Sequence, residues 1–121
     1  MTSACSILIV DDELMLRDIV VEALQENGYE VLVASHGPGA LEILKGPARI
    51  DVVFSDVSMP NGMSGVELAE RAAEIRPGIR VILASGFAKG QLPPIPKEVA
   101  FLPKPYRVRQ LLEALQQVTA A

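Results

Sequence analysis

The 121 residues include one cysteine and no tryptophan, and only 4% are aromatic. A lone Cys5 cannot build an internal disulfide framework, so the fold must be held by burial, and a reducing compartment is expected. Basic residues are outnumbered: eleven Lys and Arg against fifteen Asp and Glu leave a net charge of -4. Little is there to neutralise phosphates, so nucleic acid is not an expected partner of this domain. Long apolar runs are missing as well, and none approaches the ~20 residues that span a bilayer. Met1 to Ser6 carries no Lys or Arg, and the apolar run after it is only Ile7 to Val10. That is not a signal-peptide pattern, so a cytoplasmic setting without membrane contact is expected. Half of the residues are hydrophobic, enough for one domain over 1–121 with a single core.

Ile7 to Val10 is short, continuous and β-branched, and it ends at Asp11-Asp12. It reads as a strand buried on both faces. Glu13 to Asn27 follows with Leu16, Ile19, Val20, Ala23 and Leu24 at helical spacing, Asp12 as N-cap and Gly28 as the stop. Glu30 to Ala34 is a second β-rich run, and Gly39 to Lys45 a short helix between Gly-Pro pairs. Val52-Val53-Phe54 is a third strand, again running into an acid, Asp56. A loop from Ser58 to Ser64 leads to a helix from about Gly65 to Ile75, stopped by Pro77-Gly78. Arg80 to Ala84 and Val99 to Leu102 are the fourth and fifth strands, and Tyr106 to Val118 is the last helix. Residues 87–97 hold Gly90, Pro93, Pro94 and Pro96, so the fourth helix of the alternation should be short or missing. Strands alternating with helices imply an α/β fold: a five-stranded parallel sheet with helices on both faces, for which the flavodoxin-like order 2-1-3-4-5 is the first choice.

In such a sheet the C-terminal ends of the strands share one edge, where ligands bind. The first strand ends in Asp11 and Asp12, the third in Asp56, the fourth in Ser85 and the fifth in Lys104. Taken singly, each has an ordinary explanation: a helix cap, an Asx-turn, a serine turn before Gly86, an exposed loop lysine. Taken together they place three carboxylates, a hydroxyl and one ammonium at one edge. Hard oxygen ligands suit Mg²⁺, and a carboxylate left free to attack can serve as nucleophile. A metal, a lysine and a hydroxyl can share the charge of a transferring phosphoryl group. Asp56, on the central strand, is the nucleophile candidate. Asp11 and Asp12 are better suited to holding metal, and the Ser58 carbonyl could complete its shell. His36, on a predicted surface loop, reads as an ordinary loop residue, Cys5 as an unactivated thiol, and Met15, Met59 and Met63 as packing or loop residues.

Four pieces now stand together: Val10-Asp11-Asp12-Glu13, Asp56-Val57-Ser58-Met59-Pro60, Leu83-Ala84-Ser85-Gly86 and Phe101-Leu102-Pro103-Lys104-Pro105-Tyr106. In this order and spacing the chain resembles, over essentially its whole length, the receiver (response-regulator) domains of bacterial two-component signalling. The resemblance implies that Asp56 is phosphorylated by a histidine kinase or a histidine phosphotransfer protein. It implies an acid pair for Mg²⁺ in Asp11 and Asp12, with Asp12 the direct ligand and Asp56 and the Ser58 carbonyl as further ligands. It makes Ser85 the switch hydroxyl, Lys104 the phosphate-binding lysine and Phe101 the switch aromatic. It also implies a domain that assists its own phosphorylation and dephosphorylation rather than an enzyme, expected as a monomer or weak dimer. The loop from Met59 to Gly65 is one residue longer than the common pattern. That longer form resembles receivers of hybrid sensor histidine kinases, so a free-standing domain and a piece of such a kinase are both open. The competing reading is a non-phosphorylated pseudo-receiver that binds proteins. An aspartyl phosphatase is disfavoured because Ser58, two residues after Asp56, cannot protonate a leaving group. A dinucleotide enzyme is disfavoured because the turn after the first strand has no glycine.

Overall fold

The computed structural model describes residues 5–11, 13–58, 63–86 and 99–119. Continuous β-branched runs need cover on both faces, and the central ones have it. Every residue of β1 (Ser6–Val10) and β3 (Val52–Asp56) is buried, as is all of β4 (Arg80–Ser85) except Arg80. With β2 (Glu30–Ala34) and β5 (Ala100–Pro103) they form one sheet, all neighbours parallel, in the order β2-β1-β3-β4-β5. This is the expected flavodoxin-like order.

Successive side chains of a strand point to opposite faces, so the sheet separates two cores, one on each face, in place of the single core expected from composition. Leu8, Val10, Val53 and Leu83 pack against Leu41 and Leu44 of α2 (Gly37–Lys45) and Leu68 and Ala72 of α3 (Gly65–Ile75). Ile7, Ile9, Phe54 and Ile82 pack against Val20 and Leu24 of α1 (Leu14–Glu26) and Leu111 and Leu115 of α4 (Val108–Thr119). Helices therefore cover both faces. The four described helices agree with a fourth helix of the alternation that is short or missing, although residues 87–97 themselves lie outside the described residues.

Three helix starts differ from the sequence expectation, the simplest being α4, which begins at Val108, two residues after Tyr106. The N-cap of α1 is Glu13 and not Asp12, and Glu13 makes no side-chain cap bond. Ahead of it, Asp11 Oδ1 accepts from the Glu13 N–H at 2.9 Å, an Asx-type turn that leads the chain into the helix. Asp12 itself lies outside the described residues. Helix α2 begins at Gly37, two residues earlier than expected, because His36 is its cap: Nδ1 accepts from the Gly39 N–H at 3.0 Å. Pro38 then suits the first turn, where a missing N–H costs nothing.

The far end of α2 is closed from another helix. Arg76, the C-cap of α3, donates to the carbonyls of Leu44, Gly46 and Ala48 at 2.9, 3.0 and 2.6 Å. Carbonyls at a helix end have no partner of their own, so the guanidinium satisfies groups that would otherwise depend on water. Arg76→Met should keep the stem and lose these bonds, at about 2 kcal/mol or about 8 °C of melting temperature. A thermal scan unchanged within error would mean that water replaces the guanidinium at no cost.

Candidate functional site

The last bonds of the parallel ladder fix the edge on which the candidate residues stand. Asp11 N–H donates to the Ala34 carbonyl at 3.1 Å, Val57 N–H to Ala84 at 2.9 Å, and Lys104 N–H to Ser85 at 2.8 Å. Asp56 closes β3, Ser85 closes β4, and Asp11 and Lys104 directly follow β1 and β5. Asp11, Asp56 and Ser85 are only 7%, 8% and 4% exposed, and such burial is unusual for carboxylates without a role in a site. Lys104 reaches in from β5: its Nζ lies 2.6 Å from Asp56 Oδ1.

Charge is unevenly matched here. The Asp56 carboxyl is pushed up to about 6: burial raises it most, the Lys104 hydrogen bond and charge pull it down, and the nearby Asp11 and Glu13 charges add to the rise. Lys104→Ala would remove both opposing effects. The Asp56 carboxyl of that variant should titrate above its wild-type midpoint, as read from the side-chain carboxyl ¹³C shift against pH. An unmoved midpoint would take Lys104 out of the site.

Tyr106 is a site neighbour to which the sequence reading gives no role beyond closing the Phe101–Tyr106 piece and opening the last helix. Its hydroxyl is pushed far above the ordinary tyrosine range, first by burial and then by Asp56, Asp11 and Glu13. Its ring meets Phe54 edge-on, with centroids 5.6 Å apart and planes at 79°. The one available signal is its place two residues after Lys104. A cavity of about 410 Å³ opens beside Lys104, lined by Glu13, Gly86, Pro105 and Tyr106.

Gly65 is the second residue whose role the sequence does not reveal. Its N–H donates to the Val57 carbonyl at 2.7 Å. A Cβ there would overlap the Asp56 carbonyl oxygen and lie 2.9 Å from both the Asp56 carbonyl carbon and Val57 Cα. Helix α3 thus starts against the backbone of Asp56, with Ser64 Oγ capping it by accepting from the Glu67 N–H at 3.1 Å.

The remaining candidates are placed less centrally. Ser58 is exposed, two residues past Asp56, and Phe101 is half-buried within β5, paired with Leu83 inside the sheet. Asp12 lies outside the described residues, and so does Met59. Met63 packs against the α2–α3 core, as a packing residue should. Cys5 has a basic neighbour in Arg49, but burial and then Asp51 outweigh it and raise the thiol, so it stays unactivated.

Among the described residues no three His, Cys, Asp or Glu side chains form a group that could hold a metal ion. The donor chemistry nevertheless fits a hard divalent cation. Two buried carboxylates, Asp11 and Asp56, share one edge; the Asp11 charge opposes ionisation of Asp56, which Lys104 only partly offsets. Among the described residues no helix is long and apolar enough to cross a membrane.

Known proteins resemble this chain in sequence and in fold. The response regulator receiver domain family matches residues 7–116. The response regulator receiver protein CpdR of Brucella abortus is 33% identical over 95% of this chain and 97% of its own length. The sensor kinase CckA of Brucella abortus is 34% identical over 98% of this chain, which spans 13% of that protein. The crystal structure of the receiver domain from the hybrid histidine kinase CckA matches with a TM-score of 0.79 at 37% identity, covering 93% of this chain and 97% of that one. The response regulator TrrA of Thermotoga maritima, crystallised in complex with Mg²⁺-BeF, matches with a TM-score of 0.82 at 29% identity, covering 94% and 98%. Strand order, the edge that gathers the acids and a family match along nearly the whole length agree, and the chain belongs to the response regulator receiver domains of two-component systems.

Proposed function

We propose that Asp56 accepts a phosphoryl group from a phosphohistidine, carried by a histidine kinase or a histidine phosphotransfer protein, and that the domain changes conformation in response. The observation that carries this reading is Asp56 itself: a buried carboxylate closing the central strand, with one cation 2.6 Å away. At neutral pH a carboxyl that titrates at about 6 is mostly ionised, so the nucleophile is available. One carboxylate oxygen attacks phosphorus. An O–P bond forms as the N–P bond breaks, and the bonding electrons stay on the imidazole, which leaves neutral when its other nitrogen carries a proton. Lys104 and the Ser85 hydroxyl receive phosphoryl oxygens as negative charge spreads over them.

Mg²⁺, when bound, would supply the positive charge that the crowded acids and the transferring group lack. Asp11, Asp12, Asp56 and the Ser58 carbonyl would hold it, and the likeness to a response regulator crystallised with Mg²⁺-BeF supports that assignment. Ser85 and Phe101 are the residues we expect to respond once Asp56 is modified. Residues 1–121 act in this reading as one cytoplasmic domain, a monomer or weak dimer, without nucleic-acid or membrane contacts of its own; the acidic balance of the chain supports the absence of a nucleic-acid partner. The ion pair between Asp56 and Lys104 argues for the phosphoacceptor over a pseudo-receiver.

The test is direct. Incubated with a small-molecule phosphodonor and Mg²⁺, the protein should gain one phosphoryl group by intact mass, and Asp56→Asn should gain none. Equal uptake by the variant would move the acceptor to another residue.

A further inference from the structure

The turn between β2 and α2 carries no candidate reactive group, yet it is tied down from several directions. Ala34 accepts from the Asp11 N–H at 3.1 Å. Ser35 Oγ accepts from Arg17 Nη1 at 3.1 Å, and His36 caps Gly39 at 3.0 Å. Gly37 follows at once as the first residue of α2 and is buried. It has little freedom to move.

Met63 sits on this fixed glycine. A Cβ on Gly37 would overlap Met63 Sδ and lie 2.9 Å from its Cγ and 3.1 Å from its Cβ. Turning the thioether away would clear Sδ and Cγ but unseat Met63 from Gly37, and it would still leave Met63 Cβ at 3.1 Å, closer than an ordinary contact. Met63 itself is two residues from Gly65, and Gly65 lies against the carbonyl of Asp56 and bonds to Val57 at 2.7 Å. A short path therefore links the α2 start to the backbone of the phosphoacceptor.

We propose that Met63, seated on Gly37, is a positioning residue for phosphoryl transfer: the contact holds Gly65 against the Asp56 backbone and so sets the direction of the Asp56 carboxylate. The inference rests on Asp56 being the phosphoacceptor. In-line attack is sensitive to displacements well under the size of an atom, so a modest shift at Met63 is felt in rate.

Wild type, Gly37→Ala, Met63→Ala and the double variant are compared for initial phosphoryl uptake from a small-molecule phosphodonor with Mg²⁺. The assay runs far below every melting temperature, where lost stability alone does not slow uptake. Gly37→Ala should slow uptake about tenfold, and Met63→Ala about threefold. The double variant should return to within about threefold of wild type, because the new methyl enters space the thioether has left. Wild-type uptake with Gly37→Ala inside about twofold of it would overturn the inference and leave Asp56 as acceptor. No uptake by wild type would remove the phosphoacceptor reading and this inference with it. Should Gly37→Ala fail to fold, Met63→Ala decides alone: a wild-type rate at unchanged circular dichroism would overturn the role given to Met63.

Discussion

In chelator at pH 7, Asp56→Asn should melt about 12 °C above wild type. The carboxyl titrates at about 6 in the folded protein against 3.8 in the unfolded chain. The native state therefore binds the proton more tightly. Between the two values it holds more protons than the unfolded state, so stability falls as pH rises through that window. Below about 4 both states are protonated and the loss is absent; above about 6 it is complete. A midpoint raised by about two pH units corresponds to about 3 kcal/mol, and a domain of this size moves by about 4 °C for each kcal/mol. Asparagine keeps the shape and an oxygen that can accept from Lys104, and it removes the charge that burial and Asp11 oppose. The gain of the variant over wild type should accordingly fade as pH is lowered from 6 to 4, because the wild-type carboxyl is then neutral as well. Adding Mg²⁺ should raise wild type and narrow the gap, since a ligand bound only to the folded state stabilises it. Calorimetry at matched ionic strength separates this from general screening. A variant that melts below wild type at pH 7 would mean that Asp56 is not held in an unfavourable charged state.

The parts of this site that are legible in the sequence are those governed by period and order. A β-branched run must be covered on both faces, and alternation with helices makes the sheet parallel, so Asp11, Asp56, Ser85 and Lys104 have to finish at one edge. Helix α3 runs from Gly65 to Ile75 as its spacing predicts, because Pro77 and Gly78 punctuate its end. Other features have no periodic signature. A histidine that caps a helix is indistinguishable in sequence from a loop histidine, and His36 reads there as the latter. The turn in which Asp11 accepts from the Glu13 N–H, with Glu13 at the cap position, likewise follows no period, because it depends on which nearby backbone donor a side chain takes. Tyr106 enters the site through its packing on Phe54, more than fifty residues away in the chain, and no local pattern reports such a contact. Gly65 shows in the sequence only as a helix start, since a close approach of two backbones depends on how α3 docks against β3.

That docking makes Gly65→Ala the sharper structural test. Helix propensity alone favours alanine over glycine by up to about 1 kcal/mol, so a reading confined to α3 predicts a stabilised protein. The structure predicts the opposite sign. The added Cβ would meet the Asp56 carbonyl oxygen and carbon and Val57 Cα, all backbone atoms of a fully buried strand and the residue after it. No rotamer relieves a clash with backbone; either α3 tilts away or the chain at Asp56 gives. Overpacking of this kind costs about 3 kcal/mol, which outweighs the propensity gain and should lower the melting temperature by roughly 10 °C. The Gly65 N–H bond to Val57 at 2.7 Å would lengthen with it, so phosphoryl uptake by the folded variant should fall too. Gly46→Ala is the matched control. Gly46 ends α2 at φ -84, and a Cβ there meets nothing nearer than the Ile43 carbonyl at 3.5 Å, an ordinary contact. That variant should melt within about 2 °C of wild type, or slightly above it through the lost freedom of the unfolded chain. If Gly65→Ala instead melts at or above Gly46→Ala, propensity has won and α3 does not lie against the phosphoacceptor strand as closely as the positioning of Asp56 requires.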